Sequence, residues 1–187
     1  LGAKHMVTGY DHLLFLAGVI FFLYRLRHIA TYVTLFAIGH STTMIVGVYY
    51  NIAVSAFLID AIIGLSVVYK AFENIGGFKR LGISIDTRAA VLLFGFAHGF
   101  GLSTKLQDLS LSAQGLVPNM IAFNIGVELG QLAALTVILI AFTAWRRSGT
   151  FNRGAYAANV LIMAAGFALF GYQLTGEEHA EGKCGEG

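Results

Sequence analysis

A single proline and a single cysteine stand among the 187 residues of this chain. One thiol, Cys184, excludes an intrachain disulfide, so cysteine usage says nothing of the redox compartment. Charge is scarce as well. Only 12% of residues are charged, where a soluble domain carries about 25%. That deficit excludes a surface turned mainly toward water. The formal net charge of +2 is too small to argue for a nucleic-acid partner. No nucleotide-binding glycine motif occurs, which argues against direct use of ATP. What the chain has instead is apolar bulk and glycine. Apolar residues make up 57% of it, 23 residues are Gly, and the mean hydropathy is +0.73. Glycine-rich, proline-poor apolar runs suit membrane helices whose backbones approach closely.

A spanning helix needs roughly 20 mostly apolar residues. Six stretches come near that length: Met6–Tyr24, Ile29–Val48, Ala53–Phe72, Ala89–Thr104, Val117–Ala144 and Ala157–Leu174. Short polar connections separate them, so the expected fold is an all-α, polytopic membrane bundle of about six transmembrane helices. Residues 1–174 read as one transmembrane domain. Residues 175–187 read as a polar tail, too short to pack and expected to be mobile.

The basic residues are placed unevenly. Arg25, Arg27, Lys70, Lys79, Arg80, Arg88, Arg146, Arg147 and Arg153 lie in or beside the connections after helices one, three and five. Only Lys4, Lys105 and Lys183 fall on the other side. Positive residues stay cytoplasmic, so both termini are expected outside, in a multi-pass membrane arrangement. An outward N-terminus just before helix one fits a signal peptide removed upstream. Tyr24, Tyr49, Tyr50, Trp145 and Tyr172 sit near helix ends, where interfacial aromatics belong.

Ionisable side chains inside such runs cost about 2.5–3.5 kcal/mol each at a helix centre, yet they are numerous here. Helix one carries Asp11 and His12. Helix two carries His40, followed by Ser41, Thr42 and Thr43. Asp60 is on helix three, His98 on helix four, and Asn124, Glu128 and Gln131 on helix five. Counting about 1.5 Å per residue from the expected outer ends puts Asp11 and His12 roughly 8–9 Å deep. Asp60 and Asn124 come at about 10 Å and Glu128 at about 16 Å. His40 and His98, counted roughly 14–17 Å up from the inner ends, reach mid-membrane. One slab therefore collects polar groups from five helices. Asn124, Glu128 and Gln131 recur at i, i+4 and i+7, on one helix face.

Imidazole suits zinc, copper, iron and nickel, and carboxylates add affinity for harder ions. No thiol lies within the spans, which argues against a Cu(I) site. Each residue also has a plainer reading. A lone His40 or His98 serves well as an interhelical hydrogen bond, and Asn124 suits the same task. Asp60 reads equally as a ligand or as a carboxylate orienting His12 or His40. His5 lies about 10 Å from His12 along an ideal helix, too far to share one ion. It therefore folds back, serves a second ion, or stands at the entrance.

The motifs resemble the HupE/UreJ family. They are His5-Met-Val-Thr-Gly-Tyr-Asp11-His12, Gly39-His40-Ser41, Phe94-Gly-Phe-Ala-His98-Gly-Phe-Gly101 and Phe123-Asn124-Ile-Gly-Val-Glu128-Leu-Gly-Gln131. The resemblance spans the chain to about Tyr172. It implies a membrane permease for nickel or cobalt that feeds metalloenzyme maturation proteins. It carries His5, Asp11, His12, His40, His98 and Glu128 over as the metal positions. Helix four lacks the Glu that follows this histidine motif in some nickel-transporting members, which leaves the ion open among nickel, cobalt and zinc.

The expected function is thus transport of a divalent transition-metal ion rather than catalysis. The candidate metal residues are His5, Asp11, His12, His40, Asp60, His98, Asn124 and Glu128. Two alternatives use the same residues. One is a zinc-dependent intramembrane hydrolase, with an open metal position for water. The other is a metal-binding accessory subunit of a membrane complex. Membrane lipid and the metal ion are the expected partners, with a homo-oligomer or a larger complex left open.

Overall fold

The structure, a computed structural model, describes residues 3, 9–52, 54–107 and 116–184. Among these residues the chain is all-helical: α1 (Tyr10–Ile20), α2 (Leu26–Tyr49), α3 (Ala56–Asn74), a short α4 (Gly77–Arg80), α5 (Thr87–Gln107), α6 (Leu116–Arg147) and α7 (Phe151–Cys184). Each expected apolar stretch appears as a helix. By length and composition, Leu26–Tyr49, Ile121–Arg147 and Phe151–Gly176 are long and apolar enough to cross a membrane. The backbone of α7 continues through the start of the polar tail.

The helix ends have local causes. Ser55 caps α3, its hydroxyl accepting from Leu58 N at 3.3 Å. Asp86 does the same before α5, accepting from Arg88 N at 2.9 Å. The chain leaves α2 through Asn51, whose φ of 51° is the left-handed region that Asn tolerates best after Gly. The exit from α1 is made elsewhere. Arg146, at the end of α6, donates to the carbonyls of Ile20 (2.9 Å), Phe21 (2.6 Å) and Leu23 (3.0 Å). Carbonyls of a last helical turn lack intrahelical partners, and one guanidinium takes three carbonyls at this end at once. That is why α1 stops at Ile20 although the apolar run continues to Tyr24.

Two seams of small residues hold the bundle. On α2, Gly39, Thr43 and Gly47 recur every four residues. They face Gly95, Gly99 and Ser103, spaced alike on α5. A Cβ on Gly39 would stand 2.6 Å from Leu92 O, and one on Gly95 would stand 2.6 Å from Phe36 O. Thr43 Oγ1 donates across the seam to Phe96 O at 2.7 Å. The second seam joins α3 to α7 through Gly64 and Gly166. Lipid tails are as apolar as leucine, so helices in lipid associate by packing and hydrogen bonds rather than hydrophobic transfer. Backbone-to-backbone approach of this kind supplies both. Phe15, Leu16, Val19 and Ile20 of α1 are buried in the core between these pairs. α6 rests more lightly on α1, α2 and α7. It turns Ile121, Ile125, Leu129, Val137 and Ile140 outward, as a lipid-facing helix does.

Candidate functional site

The α2–α5 seam positions two of the histidines. His40 follows Gly39 and His98 precedes Gly99, so the close crossing of the backbones brings both rings to one level. α1 adds His12. The rings of His12 and His98 lie 4.9 Å apart at 77°, and those of His12 and His40 lie 6.2 Å apart at 84°. All three residues are at most 3% exposed. Phe15 and Phe36 form the walls, 5.3 Å and 5.0 Å from the His98 ring, and Phe36 stacks on His40 at 6.0 Å. Three imidazoles from three helices thus share one dry aromatic box.

The tautomer of His98 follows from its neighbour. Nδ1 lies 2.8 Å from Phe94 O. A carbonyl only accepts, so Nδ1 carries the proton and, in the neutral ring, Nε2 holds the lone pair. Backbone carbonyls commonly fix ligating histidines in this way.

A second polar group lies beside the first, joined to it by the adjacent residues His40 and Ser41. Ser41 Oγ donates to Asn124 Oδ1 at 3.0 Å, and Asn124 Nδ2 lies 3.4 Å from Glu128 Oε1. These residues line a groove of about 480 Å³ between α2 and α6, which Thr42 of α2 and Gln131 of α6 also line. Asn124, Glu128 and Gln131 share a face, as their spacing predicted. Gln131 is 2% exposed, and its Nε2 has no hydrogen-bond partner among the described residues. The interhelical bond expected of Asn124 is present.

Asp60 reaches from α3 toward α5. A Cβ on Gly101 would lie 3.6 Å from Asp60 Oδ1. The carboxylate therefore lies against α5 about one turn beyond His98. Asp11 precedes His12 on α1, but its side chain is outside the described residues, and His5 lies outside them entirely. Among the described residues, no three His, Cys, Asp or Glu side chains are disposed to hold one metal ion. Nitrogens sharing a tetrahedral ion stand about 3.4 Å apart, and the three imidazoles meet here as packed rings.

Other features of the site had only a faint trace in the sequence. Nothing in the sequence marked Phe15 and Phe36 as walls of a histidine box. Thr43 stood in a polar run, yet its partner is a carbonyl 53 positions away. The glycines flanking His98 were the one signal of close approach.

The profile described as HupE / UreJ protein matches residues 1–178. No curated protein and no solved structure matches the chain.

Proposed function

The chain belongs to the HupE/UreJ family, and from that premise we propose that it carries a divalent transition-metal ion, nickel or cobalt, across a bacterial inner membrane. The observation that carries this reading is the contact of His12, His40 and His98, contributed by α1, α2 and α5 in an apolar surround. Intramembrane ionisable residues mark ion pathways by default. In the proposed arrangement six helices cross, both ends face outward, and the basic connections lie in the cytoplasm, where metalloenzyme maturation proteins receive the ion.

Each residue has a task in this reading. The α2–α6 groove, with Glu128 and Asn124, is the entrance that draws a cation out of water. His40, next to Ser41 of that groove, passes it to His12 and His98. The carbonyl of Phe94 holds the His98 proton on Nδ1 and so leaves the lone pair of the neutral ring on Nε2. Asp11 and Asp60 supply negative charge that offsets the ion's own in a low-dielectric surround. Modest ring rotations convert the packed imidazoles into converging donors.

The same groove is the feature that favours the second reading, a zinc-dependent intramembrane hydrolase. It reaches Ser41, next to His40, and its volume is that of a small-molecule pocket. Uptake of cobalt or nickel into proteoliposomes separates the two. Transport predicts accumulation by wild type that falls at least about tenfold in His12→Ala and His98→Ala. A wild-type protein that binds cobalt at equilibrium but accumulates none refutes transport.

A further inference from the structure

Toward the far end of the bundle, a second polar cluster lies apart from the histidines. Lys70 is 7% exposed, and its Nζ lies 2.6 Å from Glu73 Oε2. The other oxygen of that carboxylate, Oε1, accepts from the Thr87 hydroxyl of α5. Asn74 Nδ2 donates to Gly18 O of α1 at 2.8 Å and to Asn159 Oδ1 of α7 at 2.9 Å. The Lys70 stem packs on Gly18, where an added Cβ would meet Cγ at 3.2 Å. Four helices are joined at this level.

The cluster continues the helices that carry the upper site. Glu73 lies 13 residues along α3 from Asp60, about 20 Å, and Thr87 lies 11 residues along α5 from His98, about 16 Å. Tyr69 lies between. Its ring is 5.2 Å from that of Phe94, whose carbonyl holds His98, and its buried hydroxyl has no hydrogen-bond partner among the described residues.

We propose that Glu73 is an inner cation site which the Lys70 ammonium fills in this conformation and vacates when a cargo cation arrives. The carboxylate is anchored by Thr87, whereas the ammonium rides on a flexible four-carbon stem. The occupant is therefore the part free to leave. While it stays, its charge repels any second cation in a low-dielectric surround, and the inner end is shut without a steric plug. Carboxylate, hydroxyl and amide oxygens make a hard donor set that holds a transition-metal ion weakly, as a release site requires. The word cargo rests on the transport reading, while the cation site does not.

Cobalt binding by the full-length protein in detergent, measured by equilibrium dialysis, tests it. Lys70→Met is expected to bind one more ion per chain than wild type. Lys70→Arg binds no extra ion, and Lys70→Met with Glu73→Gln loses the extra one. A monodisperse, cooperatively unfolding Lys70→Met with no added ion overturns the proposal. Where Lys70→Met alone does not fold, the neutral double variant decides through proteoliposome uptake. An ion pair of purely structural role tolerates neutral replacement, so uptake by that variant at the wild-type rate overturns the proposal. Uptake below about a tenth supports it. Wild type without uptake refutes transport and leaves the stoichiometry to decide the inner site.

Discussion

Gly39→Ala tests whether the α2–α5 seam sets the histidine box. Two effects compete. Alanine gains about 1 kcal/mol over glycine in a helix interior. Against that, the new Cβ would meet Leu92 O at 2.6 Å, Phe96 N at 3.0 Å and Gly95 C at 3.1 Å. All three are backbone atoms of α5 and cannot rotate aside. Ordinary contact begins at 3.4 Å, so the helices must part by about 0.8 Å. A gap of 0.5–1 Å forfeits a quarter to a half of each dispersion contact along the seam, and overpacking typically costs about 1–3 kcal/mol. Set against the propensity gain, this leaves a net destabilisation of up to roughly 2 kcal/mol. Gly171→Ala on α7 is the control, because nothing lies within 4 Å of its added Cβ and only the propensity gain remains. Thermal unfolding in detergent, followed by Trp145 fluorescence, should place Gly39→Ala below wild type and Gly171→Ala at or above it. Cobalt affinity should fall in Gly39→Ala, because His40 moves with the helix. A Gly39→Ala protein as stable as Gly171→Ala would refute the close-packed seam.

Arg146→Lys keeps the charge but loses the fork that reaches three carbonyls of the α1 end. It should destabilise by roughly 1–3 kcal/mol, read as a lower unfolding temperature with cobalt stoichiometry unchanged. Thr43→Val removes the hydroxyl donated to Phe96 O at nearly constant shape and should cost about 1 kcal/mol. An unchanged unfolding temperature would show that this bond does not hold the seam. Protons and metal compete for imidazole lone pairs, so cobalt affinity should fall as the medium is acidified, with a weaker dependence in His98→Gln. Glu128→Gln should slow uptake several-fold while leaving equilibrium binding near the wild-type value, because Glu128 lines the groove rather than the histidine box. Binding and uptake falling together would place Glu128 with the imidazoles.

Much of the fold was legible because hydropathy and length leave few choices. Each of the six apolar stretches contains a helix among the described residues, and α2, α6 and α7 meet the length and apolarity of a membrane crossing. The helix-face reading of Asn124, Glu128 and Gln131 follows from the helical period alone. The early stop of α1 was not legible, because the guanidinium that takes its last carbonyls sits more than 120 positions away. The enclosure of Lys70 was hidden for a similar reason. Its partner is three residues away, but its burial depends on α1, and the anchor of that partner belongs to α5.

What the chain determined by itself was helical position. A fixed rise per residue places every polar group along its own helix axis, and the motifs named the family. Which of those groups face one another was decided by the tertiary structure. Direction around a helix axis depends on which side packs, and here the glycine seams choose it. They turn His40 and His98 toward His12, while the face bearing Asn124 and Glu128 lines a separate groove alongside. Residues at similar heights on their own helices thus fall into two neighbouring polar groups, because height is a property of one helix and facing is a property of two.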